Sequence, residues 1–182
     1  MISIKDLRAV VKRFDPARDE RARASRSRLI ELLEQDEAAL DRRNYSPGHV
    51  TASGIVLRPD RTHVLLVFHR RLSRWLQPGG HIEEDDADAA AAAAREVLEE
   101  TGVVLERDAA PALVGIDVHE IPASDREPAH LHFDVVWRFV AASGRLGEGS
   151  HRERTLWCAI ERLSHHGADA PLLRSVERAV KA

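Results

Sequence analysis

The spacing of apolar positions changes its period along the chain. Leu7, Val10, Val11 and Phe14 recur at the three-and-four spacing of one helix face. Asp15-Pro16 reads as a stop followed by a new helix start, with the proline at the first helical position. Leu29, Ile30, Leu32, Leu33 and Leu40 supply the apolar stripe of that second helical stretch, and Arg18, Arg21, Arg23, Arg26 and Arg28 decorate its other faces. Acidic residues are interleaved with these arginines, so a solvated helix face is expected rather than a track for a polyanion. The stripe is available to the main domain or to a second copy in a homodimer.

Tyr45-Ser46-Pro47-Gly48 is a turn cluster and marks the boundary between an N-terminal helical extension, 1–44, and a main domain, 45–182. Beyond it the spacing becomes that of strands. Residues 50–57 and 63–69 read as strands joined by the turn 58–61, a candidate hairpin. A loop and a long helix over about 87–101 follow, then strands over 112–119, 130–141 and 155–160. Pro171 opens a terminal helix with Leu172, Leu173, Val176 and Val180 on its apolar side. Strands mixed with helices predict a layered α/β architecture. The alanine run 89–94 sits inside the long helix, where alanine is the best former and lets a helix approach a sheet closely.

Composition narrows the function classes. Of the 182 residues, 43% are apolar, enough for a real core. The formal charge of −3 gives no general pull toward nucleic acid or an anionic membrane. One cysteine excludes a disulfide framework and an all-cysteine metal site. No apolar run approaches the roughly 20 residues of a membrane span. The start, Met1 to Asp6, lacks the apolar stretch of a signal peptide, so a soluble cytoplasmic protein is expected.

One segment concentrates chemistry: Gly79-Gly80-His81-Ile82-Glu83-Glu84-Asp85-Asp86, then the alanine-rich helix start, then Arg95-Glu96-Val97-Leu98-Glu99-Glu100-Thr101-Gly102-Val103. On a helix, Glu96, Glu99 and Glu100 fall within an arc of about 100°, while Val97 and Leu98 point toward packing. Like charges at this spacing and near a helix C-terminus are unfavourable. A hard divalent ion such as Mg²⁺ or Mn²⁺ would resolve the conflict with carboxylate oxygens, and a solvated acidic face is the alternative. The glycine pair after Pro78 lets a backbone carbonyl come near the same ion. Asp85, Asp86 or Asp88 is placed to cap the helix.

These residues resemble the Nudix hydrolases, whose pattern is G-x5-E-x7-R-E-U-x-E-E-x-G-U with U a bulky aliphatic. Gly80, Arg95, Glu96, Val97, Glu99, Glu100, Gly102 and Val103 fit it. Asp86 stands at the first acidic position, and one extra residue separates it from Arg95. The acidic partner of Arg95 is therefore open among Glu84, Asp85 and Asp86. The resemblance implies an α/β/α sandwich with a mixed sheet and cleavage of a diphosphate, usually in a nucleoside diphosphate derivative. It implies that Gly80 offers its carbonyl and Glu96, Glu99 and Glu100 their carboxylates to Mg²⁺ or Mn²⁺. One of these carboxylates, or a residue of a later loop, would deprotonate the attacking water, with Arg95 bracing the loop. A nucleotide-sensing module of the same fold is the alternative. The isomerase branch of the fold uses an early cysteine, and the one cysteine here is Cys158.

Supporting residues are less specific. Arg71 and Arg74 are candidates for holding a phosphate, and Trp75 for stacking on a base or for packing. His130, His132 and Asp134 share one face of a strand, lining a cleft or forming the wet side of an edge strand. An additional acidic ligand is open among Glu120, Asp134, Glu148 and Glu153. Apart from His165-His166 on an expected surface loop, the ten histidines show no compact ligand spacing with cysteine, so zinc is not expected. Cys158 reads as a buried small side chain.

Overall fold

The computed structural model describes residues 2–70, 72–148 and 154–182. Helices α1 (Ile4–Arg13) and α2 (Glu20–Gln35) lead into strands β1 (Gly48–Leu57), β2 (His63–His69), β3 (Arg74–Leu76) and β4 (Gly79–His81). Helix α3 (Ala89–Thr101) and strands β5 (Ala112–Ile121), β6 (His130–Val140) and β7 (Thr155–Ala159) follow. A 3-10 helix (Ile160–His166) and α4 (Ala170–Lys181) complete the chain. The seven strands form one mixed sheet ordered β3-β2-β1-β6-β5, with β4 paired to β1 and β7 to β2. The α/β class and the mixed sheet expected from the sequence are those observed.

Strand β1 is the hub. Its long partner is β6, parallel, with His49 opposite His132 and Thr51 opposite Asp134. Its other edge is divided. Strand β2 meets it antiparallel at Leu57 and Val64, and β4 meets it at Thr51 to Ser53. The expected hairpin therefore closes only at its turn, and β4 takes the edge that β2 leaves. Strand β6 lies between β1 and β5, so it is an interior strand and not an edge.

Alternation along β1 and β6 sorts two cores. Val50, Ala52, Val56, Phe133, Val135 and Phe139 pack with residues of α1, α2 and α3. Ile55, Leu57, Val136 and Val114 pack with Leu172, Val176 and Ala179 of α4. Leu7, Val11, Leu29, Leu32 and Leu33 belong to the first core, so the stripe of the N-terminal helices covers the main sheet of their own chain.

Several local expectations change. Pro16 does not open α2: Asp15 Oδ1 accepts from Ala17 N, and Asp19 caps the helix through Ala22 N. Leu40 lies beyond the end of α2, in a run of turns. The loop after β2 contains β3 and β4, too short for a periodic pattern to show. Asp88 caps α3, which starts at Ala89 rather than Ala87. Val180 is 40% exposed, and Ser175 and Ala179 take the buried positions of α4 beside Leu172 and Val176. No helix among the described residues is long and apolar enough to cross a membrane.

Candidate active site

Helix α3 places the glutamates. Ala92 and Ala93 are fully buried against the sheet, and Val97 lies so close that a Cβ on Gly54 would come within 2.6 Å of its Cγ2. The helix ends at Gly102, whose φ of +65° is left-handed and whose N–H donates to Leu98 O. This registers Arg95, Glu96, Glu99 and Glu100 on the side toward β4. Leu98, expected in packing, is 52% exposed: Val97 occupies the buried position beside it.

The glycine pair meets the glutamates directly. Gly79 N–H donates to Glu100 Oε2 at 3.0 Å. A Cβ on Gly80 would stand 2.6 Å from Glu96 Cδ and 2.7 Å from both of its carboxylate oxygens. Only glycine admits this approach.

Arg95 is the tie between loop and helix. Its Nε and Nη2 donate to the two oxygens of Asp86 at 3.1 and 3.0 Å. Nη2 also donates to His81 O, and Nη1 to Glu96 Oε1 at 2.9 Å and Glu99 Oε2 at 3.1 Å. Of the three candidates for its acidic partner, Asp86 is the one that takes the bidentate bond; Glu84 and Asp85 are exposed. Burial alone would raise the Asp86 carboxyl, but Arg95 and the Glu83 N–H hold it below its ordinary value. Its carboxylate neighbours hold the Arg95 guanidinium above its own.

Burial raises both Glu96 and Glu100, against the opposing pull of Arg95 on the first and of the Gly79 N–H on the second. Glu100 is half-buried against β4. Glu99 is the outermost, its side chain 57% exposed.

Glu96, Glu100, Gly79 and Gly80 form one wall of a cleft of about 690 Å³. Thr51, Ser53, His132 and Asp134 form its floor, and Asp117, His119 and residues of α4 its far side. Asp134 is 3% exposed and accepts from Thr51 Oγ1 at 3.1 Å and Ser53 Oγ at 2.6 Å. Burial pushes its carboxyl up. Asp117 accepts from Arg21 at 2.9 Å and lies 3.2 Å from His119 Nδ1. The histidine and arginine hold it below its ordinary value although burial opposes them.

The remaining candidates divide. His132 lines the cleft, but His130 does not: it is 4% exposed, and its ring stacks on His49 behind the floor. Arg74 lines the cleft, but its guanidinium is bonded to Asp169 at 2.9 Å, so α4 occupies the hand expected for a phosphate. Arg71 and Glu153 lie outside the described residues. Trp75 packs edge-on against Phe68 and is not a cleft residue. Cys158 is buried. Glu120 borders the cleft, and Glu148 is exposed outside its lining. Sequence reading missed the Asp117–His119–Arg21 group; the polar alternation of residues 117 and 119 was its only signal.

The donor set suits a hard cation. Three carboxylates, two of them desolvated, converge beside a glycine strand at a polar cleft.

Comparison with known proteins gives the family of the chain. The family model described as NUDIX domain matches residues 48–178. No curated protein matches the chain. Among solved structures, the MutT protein of Bacillus halodurans is 20% identical, with a TM-score of 0.55 over 73% of this chain and 82% of that one. The NUDIX domain of Shewanella oneidensis NrtR, complexed with ADP ribose, is 19% identical, with a TM-score of 0.55 over 83% and 96%. The Escherichia coli dihydroneopterin triphosphate pyrophosphohydrolase is 17% identical, with a TM-score of 0.51 over 72% and 94%. At these identities the likeness is one of fold, and the matched family model carries membership: this chain belongs to the Nudix family.

Proposed function

We propose that the protein is a metal-dependent pyrophosphohydrolase that cleaves the diphosphate linkage of a small nucleotide-like substrate. The observation that carries this reading is the contact of Gly79 and Gly80 with Glu100 and Glu96 at the wall of the cleft. A solvated acidic face would leave all of its glutamates in water, whereas Glu96 and Glu100 are desolvated against β4, which raises both carboxyls. The neighbours include a pyrophosphohydrolase and a domain holding ADP ribose, both nucleotide-like chemistries. The expected setting is the cytoplasm.

Glu96, Glu99, Glu100 and the Gly80 carbonyl would hold Mg²⁺ or Mn²⁺. When bound, such an ion neutralises diphosphate charge and lowers the pKa of a coordinated water. The chain's residues do the rest. Arg95 fixes Glu96 and Glu99 in register with the loop through Asp86. Glu100, raised by burial, is the base that takes the proton from water. The water oxygen forms a bond to phosphorus, and the bridging oxygen leaves with the electron pair. The closed floor of Thr51, Ser53 and Asp134 keeps the reacting groups in position.

A phosphate-release screen over a panel of nucleotides with Mg²⁺ or Mn²⁺, run beside Glu100→Gln, tests this. Turnover by the wild type with a large loss in the variant is expected. Absence of hydrolysis, with retained nucleotide binding, would make the protein a sensing module instead.

A further inference from the structure

At the floor of the cleft, three strands bring three imidazoles together. His49 of β1, His81 of β4 and His132 of β6 are far apart in sequence, yet each contributes a ring nitrogen to a group lying within 4.8 Å of one another. Their ring centroids are 5.0 Å apart for His49 and His81, 4.8 Å for His49 and His132, and 5.5 Å for His81 and His132. The parallel register of β1 with β6 puts His49 opposite His132, and the antiparallel register with β4 puts His81 opposite Thr51.

The protonation pattern of His49 is fixed. Its Nδ1 lies 3.0 Å from Asn44 O. A carbonyl only accepts, so Nδ1 carries the hydrogen and Nε2 is left as a bare lone pair. That Nε2 is buried and has no hydrogen-bond partner among the described residues, on a side chain 1% exposed. A buried polar atom without a partner is costly and rare. A ligating histidine that donates its other nitrogen to a backbone carbonyl is the arrangement that orients a ring for a metal. Asn44 is itself anchored, its amide donating to Asp36 Oδ2 at 2.6 Å, and His130 stacks on His49 at 5.1 Å.

We propose that His49, His81 and His132 form a second metal site, for one divalent ion of the Zn²⁺ class, separate from the carboxylate oxygens of α3. Neutral imidazole nitrogens favour Zn²⁺ and its borderline neighbours over Mg²⁺. Zinc–nitrogen bonds of about 2.1 Å need ligands roughly 3.4 Å apart, so small rotations of the rings close the group. Three protein ligands leave a fourth position open. His81 and His132 line the cleft, so that position faces the cleft and takes water or an oxygen of its occupant. The cysteine-based spacing that made zinc unexpected does not register ligands gathered by strand pairing. The site stands on these three residues whether or not the cleft hydrolyses a diphosphate.

The test is Co²⁺ titration of the chelator-treated 182-residue chain, read by visible absorption. One equivalent is expected, displaced by Zn²⁺ but not by excess Mg²⁺. His81→Asn and His132→Asn should each weaken binding at least tenfold with unchanged circular dichroism, and Glu96→Gln should leave the absorption unchanged. Absence of a stoichiometric band would overturn the site, as would a band that persists in the double histidine variant or disappears with Glu96→Gln. Should the histidine variants not fold, X-ray absorption of the zinc-loaded wild type decides: a nitrogen shell supports the site, and an all-oxygen shell refutes it.

Discussion

The Glu96 carboxylate occupies the space that a side chain at Gly80 would need. An added Cβ would come within 2.6 Å of Glu96 Cδ, and the atom displaced is the far end of a flexible side chain. Gly80→Ala should therefore keep the fold, with the thermal midpoint moving by about 3 °C or less. It should lower kcat/KM at least tenfold, about 1.4 kcal/mol, by turning Glu96 out of register. Gly79→Ala is the contrast. Its Cβ would stand 2.7 Å from Ser53 Cα and 2.8 Å from Ala52 O, which are backbone atoms and do not move. It should destabilise by about 2 kcal/mol in a denaturant melt.

Asp86 and Arg95 give a pH signature. Asp86 is lowered in the folded protein, so its contribution is full above its ordinary unfolded pKa of about 3.9 and is lost as pH falls through the folded value. Asp86→Asn keeps the shape but loses the charged hydrogen bonds, at a cost of about 2 kcal/mol at pH 7. The stability gap between wild type and variant should be constant near neutrality and close as pH drops below about 4. Urea melts across that range would show it; a gap independent of pH would exclude the pairing as its cause.

The N-terminal helices belong to the core of their own chain. Leu29 is fully buried and clusters with Leu7, Val11, Val50 and Phe133. Leu29→Ala should cost about 3 kcal/mol, and Lys12→Ala, which breaks an exposed pair with Glu34, less than about 1 kcal/mol. Removal of residues 2–44 should leave the remainder unable to fold cooperatively. A folded remainder with an unchanged melt would return the stripe to the role of a subunit contact.

How far the sequence carried depended on the range of each interaction. Helix α3 and its glutamates were legible because a helix converts spacing into facing within one turn. Strands β1, β2, β5 and β6 were legible from apolar runs and turns. Strands β3 and β4 were not, because three residues hold no period, and β4 exists only by pairing with β1. Asp134 could be placed on a polar face, but its burial under Thr51 and Ser53 depends on the parallel pairing of β1 with β6. Arg74 looked free for phosphate because its partner, Asp169, lies 95 residues away. The same limit hid the meeting of His49, His81 and His132.

Glu100 separates catalysis from stability. Burial raises its carboxyl, so the folded protein binds that proton more tightly than the unfolded chain does. The sign follows: stability falls as pH climbs from the ordinary glutamate value through the raised one, and the full penalty is present above it. Glu100→Gln cannot ionise and keeps an oxygen for the Gly79 N–H. At pH 7 it should melt no lower than the wild type, while hydrolysis falls at least a hundredfold through loss of the base. Mg²⁺ should raise the wild-type midpoint more than that of the variant, because an ion that binds only the folded state stabilises in proportion to its affinity. Paired melts with and without Mg²⁺, beside turnover on the best nucleotide, measure all three. A variant that turns over at the wild-type rate would remove Glu100 from the chemistry, and one that melts well below the wild type would show that the carboxylate is held by a stronger partner than burial opposes.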